Sequence, residues 1–329
     1  MSHDTIGELC SSSVMSRSER NPVLSRHDVP YNDALVFNAG VAKYEGRYVM
    51  VFRNDYGSWE DQELSGRTNL GLAFSDDGVE WEAEPEPRWE VHTEEINRVY
   101  DPRLIVMEGW CYVCFAMSTR HGVRGGIART RDFEDFEILS LSVPENRNMV
   151  LFPERFQGKY VRLERPFPMY SRGGRERFDT WVSDSPDLRY WGNSRLHLTV
   201  EDVPFANTKV GPAAPPVKTD AGWLTTFHAV DTDPDRGKNG WGASWPKRYT
   251  AGLMLLDRED PAEIIGLYEE PLLAPEAEYE ISGGFRNNVI FPGGMIVEED
   301  GEVKIYYGAA DTTVCLATAE LGQLLELVK

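Results

Sequence analysis

Basic residues are in deficit in this chain. Its 34 Lys and Arg face 54 Asp and Glu, for a formal net charge of −20. A surface of that sign repels phosphate backbones and anionic lipid, so neither nucleic acid nor a membrane is an expected partner. Solubility alone accounts for the excess. If a substrate carries an anion, however, cations must be gathered locally against this field. Long apolar runs are also missing, which excludes a helical membrane span. The first stretch, MSHDTIGELCSSSVMSRSER, lacks the apolar centre of a signal peptide. Cysteine is rare, with four residues: Cys10, Cys111, Cys114 and Cys315. Cys111 and Cys114 form a CxxC, but they lie in GWCYVCFAM, which reads as a strand. Residues three apart on a strand face opposite sides, so this pair is expected to share neither a metal nor a disulfide. A reduced, cytoplasmic protein is the expectation. No close set of His, Cys and carboxylates has ligand spacing, so neither a metal nor a cofactor is expected. Low-complexity linkers are absent and long amphipathic helices nearly so.

What the chain does have is a repeat. Five times a turn residue leads into an aromatic-rich strand, a loop, a second strand and a polar turn. The copies open at YEGRYVMVFR, MEGWCYVCFAM, FQGKYVRLERP, DAGWLTTFHAV and EDGEVKIYYGA. Acidic turns (SDDG, TRDF, SDSPD, DRED) follow the second strands, and Trp81, Phe136 and Trp191 anchor outer strands beyond them. With 29 Gly and 20 Pro spread among short strands, the spacing predicts an all-β, five-bladed β-propeller rather than a β-sandwich with a second domain. Residues 1–20 are expected as a tail or arm and 21–329 as one propeller domain. The aromatic-rich first strand of each copy is expected to line the central channel.

Near those strands lie Asn38, Arg53, Asp101, Arg103, Arg147, Arg165, Lys209, His228 and Asp311, which a propeller funnel would bring together. Asp101, in RVYDPRLI, reads either as a turn cap or as a general acid whose pKa burial raises. Arg147, Arg165, Lys209 and His228 read as a phosphate pocket or, taken singly, as partners of Glu154, Glu164 and their neighbours.

The segments FNAG, VYDPRLI, NRNMVLFPE, LERP, KVGPAAPPVKTDAGWL, FHAV, FPGG and YYGAADT together resemble glycoside hydrolase family 130. This family comprises the β-mannoside phosphorylases and their hydrolytic relatives. The resemblance runs from Asn21 to the C-terminus and implies a five-bladed propeller. It further implies Asp101 as catalytic acid, with Arg147, Asn148, Arg165, Lys209 and His228 around phosphate. Tyr249 would lie near phosphate and sugar, while Asn38, Arg53, Tyr100 and Asp311 hold the mannosyl unit. Hydrolytic members have lost the basic cluster; here it is intact. The expected activity is therefore inverting phosphorolysis of a β-mannoside to α-mannose 1-phosphate, with phosphate as co-substrate. An inverting β-mannosidase and a non-catalytic sugar-binding propeller are the alternatives.

Two stretches depart from the family pattern, FPMYSRGGRERFDTW after LERP and DTDPDRGKNGWGASWPKRY after FHAV. FNAG also carries Ala39 where relatives often have Ser. Loops at a propeller mouth shape the acceptor side, so linkage and acceptor stay open. Trp241, Trp245 and Tyr170 either stack on sugar there or anchor the loops. A homo-oligomer is possible through the N-terminal arm.

Overall fold

The computed structural model describes residues 5–31, 34–168, 170–172, 176–237, 239–241 and 244–329. Five antiparallel sheets follow one another along the chain as the blades of a β-propeller. Blade 1 runs Leu35–Tyr44, Arg47–Ser58, Glu63–Ser75 and Glu82–Ala83. Blade 2 runs Ile96–Met107, Trp110–Thr119, Gly122–Thr130 and Glu137–Leu141. Blade 3 is Asn146–Leu151, Tyr160–Pro166, Thr180–Ser185 and Gly192–Leu198. Blade 4 is Lys209–Pro212, Trp223–Thr232, Lys247–Leu256 and Ile264–Leu267. In blade 5, Ile290–Val297, Glu302–Ala309 and Thr313–Glu320 are completed by Ser16–Arg17, which pairs with the last of them. The segment expected as a tail or arm thus supplies the outermost strand of blade 5. Arg17 fastens it there by ion pairs to Glu276 (2.9 Å) and to the fully buried Glu280 (2.8 Å).

The strand expected to line the channel is in each blade the second one. A further strand precedes it and lies on the axis. These inner strands escape a period-two reading because they are buried on both faces, as LVFNAGVAKY and IFPGGMIV show. They also crowd one another. A Cβ on Gly40 would come within 2.9 Å of the Arg103 backbone, and one on Gly293 within 1.9 Å of the Ala39 carbonyl oxygen. Only glycine fits at either place.

The hydrophobic core consists of slabs between neighbouring blades rather than one centre. Leu72, Val49, Val113 and Leu104 fill the slab between blades 1 and 2, and Ile105, Tyr112, Leu151 and Tyr160 that between 2 and 3. Cys111 belongs to the first slab and Cys114 to the second, so the CxxC pair points to opposite faces. Burial pushes both thiols up to about 12, which makes them inert apolar filler. The expected anchors lie where blades meet. Trp81 is edge-on to Tyr48 and Tyr306, Phe136 stacks on Trp89 at 4.8 Å, and Trp191 sits beneath Arg162. The acidic turns share one device. Asp77, Asp132, Asp187 and Asp257 each accept two backbone N–H groups from the residues two and three ahead.

Candidate active site

Three inner strands break register at the same height. The pairing skips between Phe37 and Gly40, between Tyr100 and Arg103, and between Arg147 and Val150. Each skip is a β-bulge whose first unpaired residue has left-handed backbone: Asn38 (φ 48°), Asp101 (φ 53°) and Asn148 (φ 57°). Asn and Asp tolerate this conformation best among residues with a Cβ, where others lose about 1–2 kcal/mol. The bulges turn these three side chains into one cavity of about 350 Å³ at the propeller mouth. Asp311 (φ 49°), in the turn between the second and third strands of blade 5, reaches the same space.

The second strands of blades 1 and 3 supply Arg53 and Arg165. Arg53 stands opposite Phe37, and Arg165 opposite Arg147. Arg53 grips Asp55 with two hydrogen bonds (2.8 and 2.6 Å) and reaches Asp101 at 3.2 Å, while Asn38 donates to the same Asp101 oxygen at 3.0 Å. Burial would raise the Asp101 carboxyl, but Arg53, Arg103, the Asn38 hydrogen bond and Arg147 outweigh it and hold it below the usual range. The raised pKa expected from burial is therefore reversed, because three guanidiniums surround the group. Asp311 goes the other way. Its burial, with Asp101 and Asp55 nearby, outweighs Arg286 and Arg53 and lifts it.

The same cavity wall carries Arg147, Arg165 and Lys209 together with Asn148 and Tyr249. Phe167 and Phe178 back this wall: Arg147 lies 5.5 Å from the Phe167 ring, Lys209 4.5 Å and Arg165 5.4 Å from the Phe178 ring. None of the three cations has a carboxylate within ion-pair reach among the described residues; Glu164 pairs with Arg162 and Glu154 with Lys218. Burial, then Arg165 and Lys247, push Lys209 down to about 6. Burial, then Arg147, push Arg165 down to about 9. Burial lifts the Tyr249 phenol. Cations that repel one another in a partly desolvated wall are stabilised by an incoming anion.

Of the residues singled out in the sequence, Asn38, Arg53, Tyr100, Asp101, Arg147, Asn148, Arg165, Lys209, Tyr249 and Asp311 line the cavity. His228 does not. It is fully buried behind Arg165, with Nε2 2.6 Å from the Arg165 guanidinium, so it supports the wall instead of forming it. Arg103 is also set back, donating to the carbonyls of Ala213 (2.6 Å) and Pro102 (2.8 Å). Trp241 is a loop anchor, buried edge-on against Trp59 and Phe285. Trp245 lines the cavity, and Tyr170 lies open to solvent away from it. Met169 and residues 173–175, 238 and 242–243 of the two departing stretches lie outside the described residues.

Sequence reasoning missed Asp55, Arg98, Lys247 and Arg286 on the cavity wall. Asp55 was within reach, since an acidic residue two places from Arg53 on one strand shares its face. Arg98 lies near the start of the inner strand of blade 2, Lys247 opens the third strand of blade 4 and Arg286 sits in a loop, and no repeat in the chain links the three. Among the described residues no group of three or more His, Cys, Asp or Glu is placed to hold a metal.

Comparison with known proteins agrees with the propeller fold. The family model described as beta-1,4-mannooligosaccharide phosphorylase matches residues 12–329. A beta-1,4-mannooligosaccharide phosphorylase of Ruminococcus albus is 33% identical, over 96% of this chain and 91% of its own. A beta-1,2-mannobiose phosphorylase of Listeria innocua is 27% identical, over 94% of this chain and 97% of its own. A structure of the Listeria innocua enzyme with beta-1,2-mannobiose superposes with a TM-score of 0.80 at 26% identity, covering 95% of this chain and 99% of that one.

Proposed function

From the premise that this chain belongs to glycoside hydrolase family 130, we propose that it is an inverting β-mannoside phosphorylase. The observation that carries the reading is the trio Arg147, Arg165 and Lys209, which shares one cavity with Asp101 and has no carboxylate in ion-pair reach among the described residues. Three cations, Arg165 and Lys209 buried and Arg147 partly buried, with no carboxylate in ion-pair reach among the described residues, fit a phosphate dianion: the Arg forks take two oxygens each and Lys adds a point charge.

The chemistry follows from these two sets of residues. Phosphate, held by the trio with Asn148 and Tyr249 beside it, attacks the anomeric carbon from one face. Asp101 delivers a proton towards the leaving oxygen on the other, the glycosidic bond breaks, and α-mannose 1-phosphate is released with the shortened sugar. Asn38, Arg53, Tyr100 and Asp311 hold the mannosyl unit. An inverting hydrolase would need a second carboxylate free to activate water. Asp55 is gripped by Arg53 and Thr68, and Asp311 stands 3.6 Å from Arg286, so each of these carboxylates already has a cation beside it. A dianion in the trio also offsets the cations that depress Asp101, and so helps it hold the proton it must donate.

The test is cleavage of β-mannobiose and β-mannooligosaccharides with and without phosphate, following α-mannose 1-phosphate by phosphorus NMR. Phosphate-dependent product is expected. Equal cleavage without phosphate would make the protein a mannosidase, and binding without turnover a sugar-binding module. The four cysteines are free thiols, which supports the cytoplasm as its location.

A further inference from the structure

Seven basic side chains line the cavity against three acidic ones. Arg53 is satisfied by Asp55 and Asp101, and Arg286 reaches Asp311 only loosely, at 3.6 Å. Phosphate would occupy Arg147, Arg165 and Lys209. Arg98, Lys247 and the half-committed Arg286 remain, and among the described residues Arg98 and Lys247 have no carboxylate within ion-pair distance. In a chain of net charge −20, a cavity that stays cationic after one dianion has bound is built for a second anion.

We propose that the leaving-group side of the cavity accepts a sugar bearing its own anion, a uronate carboxylate or a phosphate ester, bound by Lys247 and Arg286. This rests on the phosphorylase reading. Both cations are set over one ring: Arg286 lies 4.3 Å and Lys247 5.0 Å from the centre of Trp245. Trp245 in turn stacks on Tyr249 at 6.1 Å with 7° between the planes. Trp245 is itself tied back, its backbone N–H donating to the Gly237 carbonyl at 3.3 Å. The two cations are therefore held in place before any ligand arrives, and Trp245 is a positioning residue. Lys247 is partly buried, and that burial, with Arg286 and Arg147 close by, lowers its pKa, as expected for a cation awaiting a counter-charge.

Mere electrostatic steering of phosphate into the cavity is the competing account, and it predicts the same benefit for every acceptor. Synthesis from α-mannose 1-phosphate separates the two. Acceptors are compared in pairs, glucose with glucuronate and mannose or N-acetylglucosamine with their 6-phosphates, following phosphate release. The anionic member is expected to win by at least about tenfold in kcat/KM, and Lys247→Met or Arg286→Met to cut that advantage by about tenfold. Whether glucuronate or the 6-phosphates gain identifies the anion. Neutral acceptors used equally well, or variants that slow every acceptor alike, would overturn the inference while leaving the phosphorylase intact. No release with any acceptor would overturn the phosphorylase reading and this inference with it. Calorimetry of the same acceptors on Asp101→Asn protein holding phosphate reads the subsite without turnover: tighter binding of the anionic member supports it, and equal binding refutes it.

Discussion

Arg165 donates from its guanidinium to Nε2 of His228 across 2.6 Å, in a pair with no exposure to solvent. A guanidinium cannot accept, so this nitrogen of His228 carries no proton. Burial, with Arg165, Arg103, Arg147 and Lys209 around it, keeps the imidazole neutral far below its usual pKa. His228 therefore aims Arg165 at the cavity and adds no charge to it.

Removing that support should weaken phosphate binding without abolishing it. His228→Ala is expected to cost about 1–3 kcal/mol of stability by leaving Arg165 short of a partner. The phosphate KM should rise by less than in Arg165→Met, which loses the fork itself. Urea denaturation and phosphate titration of both variants check the order.

Lys209 should make phosphate binding proton-linked. With its pKa near 6 in the empty site, it is mostly neutral at about pH 8, and a bound dianion raises it, so binding takes up a proton. Calorimetry in buffers of different ionisation enthalpy measures the uptake, and Lys209→Met should abolish Lys209's share of it. The same shift acts on folding. A lysine whose pKa falls on folding destabilises the empty protein below about 6, and that loss is relieved as pH rises towards the ordinary lysine range. Without phosphate, the substitution should flatten that rise.

Asp101→Asn should reduce phosphorolysis by about a hundredfold or more, the usual contribution of a general acid. Asn tolerates the φ of 53° at this bulge, so melting temperature and phosphate binding should hold. The Asp101 carboxyl should titrate upward when phosphate binds to the unsubstituted protein, and also in Arg53→Met, because each removes positive potential. Carbon-13 NMR of the carboxyl reads both shifts.

Arg17→Ala tests the closure of blade 5. It strips the guanidinium from Glu280, whose side chain is fully buried, and should cost about 3 kcal/mol. Turnover per folded molecule should stay unchanged, since Arg17 does not line the cavity. Denaturant titration against activity of the folded fraction checks both.

The blade count and the outer architecture were legible in the chain, because a turn, an aromatic-rich strand, a loop and a second strand recur five times and because Trp81, Phe136 and Trp191 follow acidic turns. The inner strands were not. Buried on both faces and interrupted by bulges, they carry no alternation, and so the second strand of each blade looked like the first. Ten of the eleven site residues expected from family resemblance line one cavity. Their chemistry could be named from residue type, but not their distances.

Tertiary structure alone decided the rest. It set His228 behind Arg165, turned Asp101 from a raised to a lowered pKa, and brought Lys247 and Arg286 to the mouth over Trp245. It also folded Ser16–Arg17 back onto blade 5. The physical reason is the same in each case. Period-two burial and turn chemistry act between neighbours in the chain, where sequence can be read directly. Electrostatic surroundings and ring closure depend on groups tens to hundreds of residues apart that only the packed blades bring within a few ångströms.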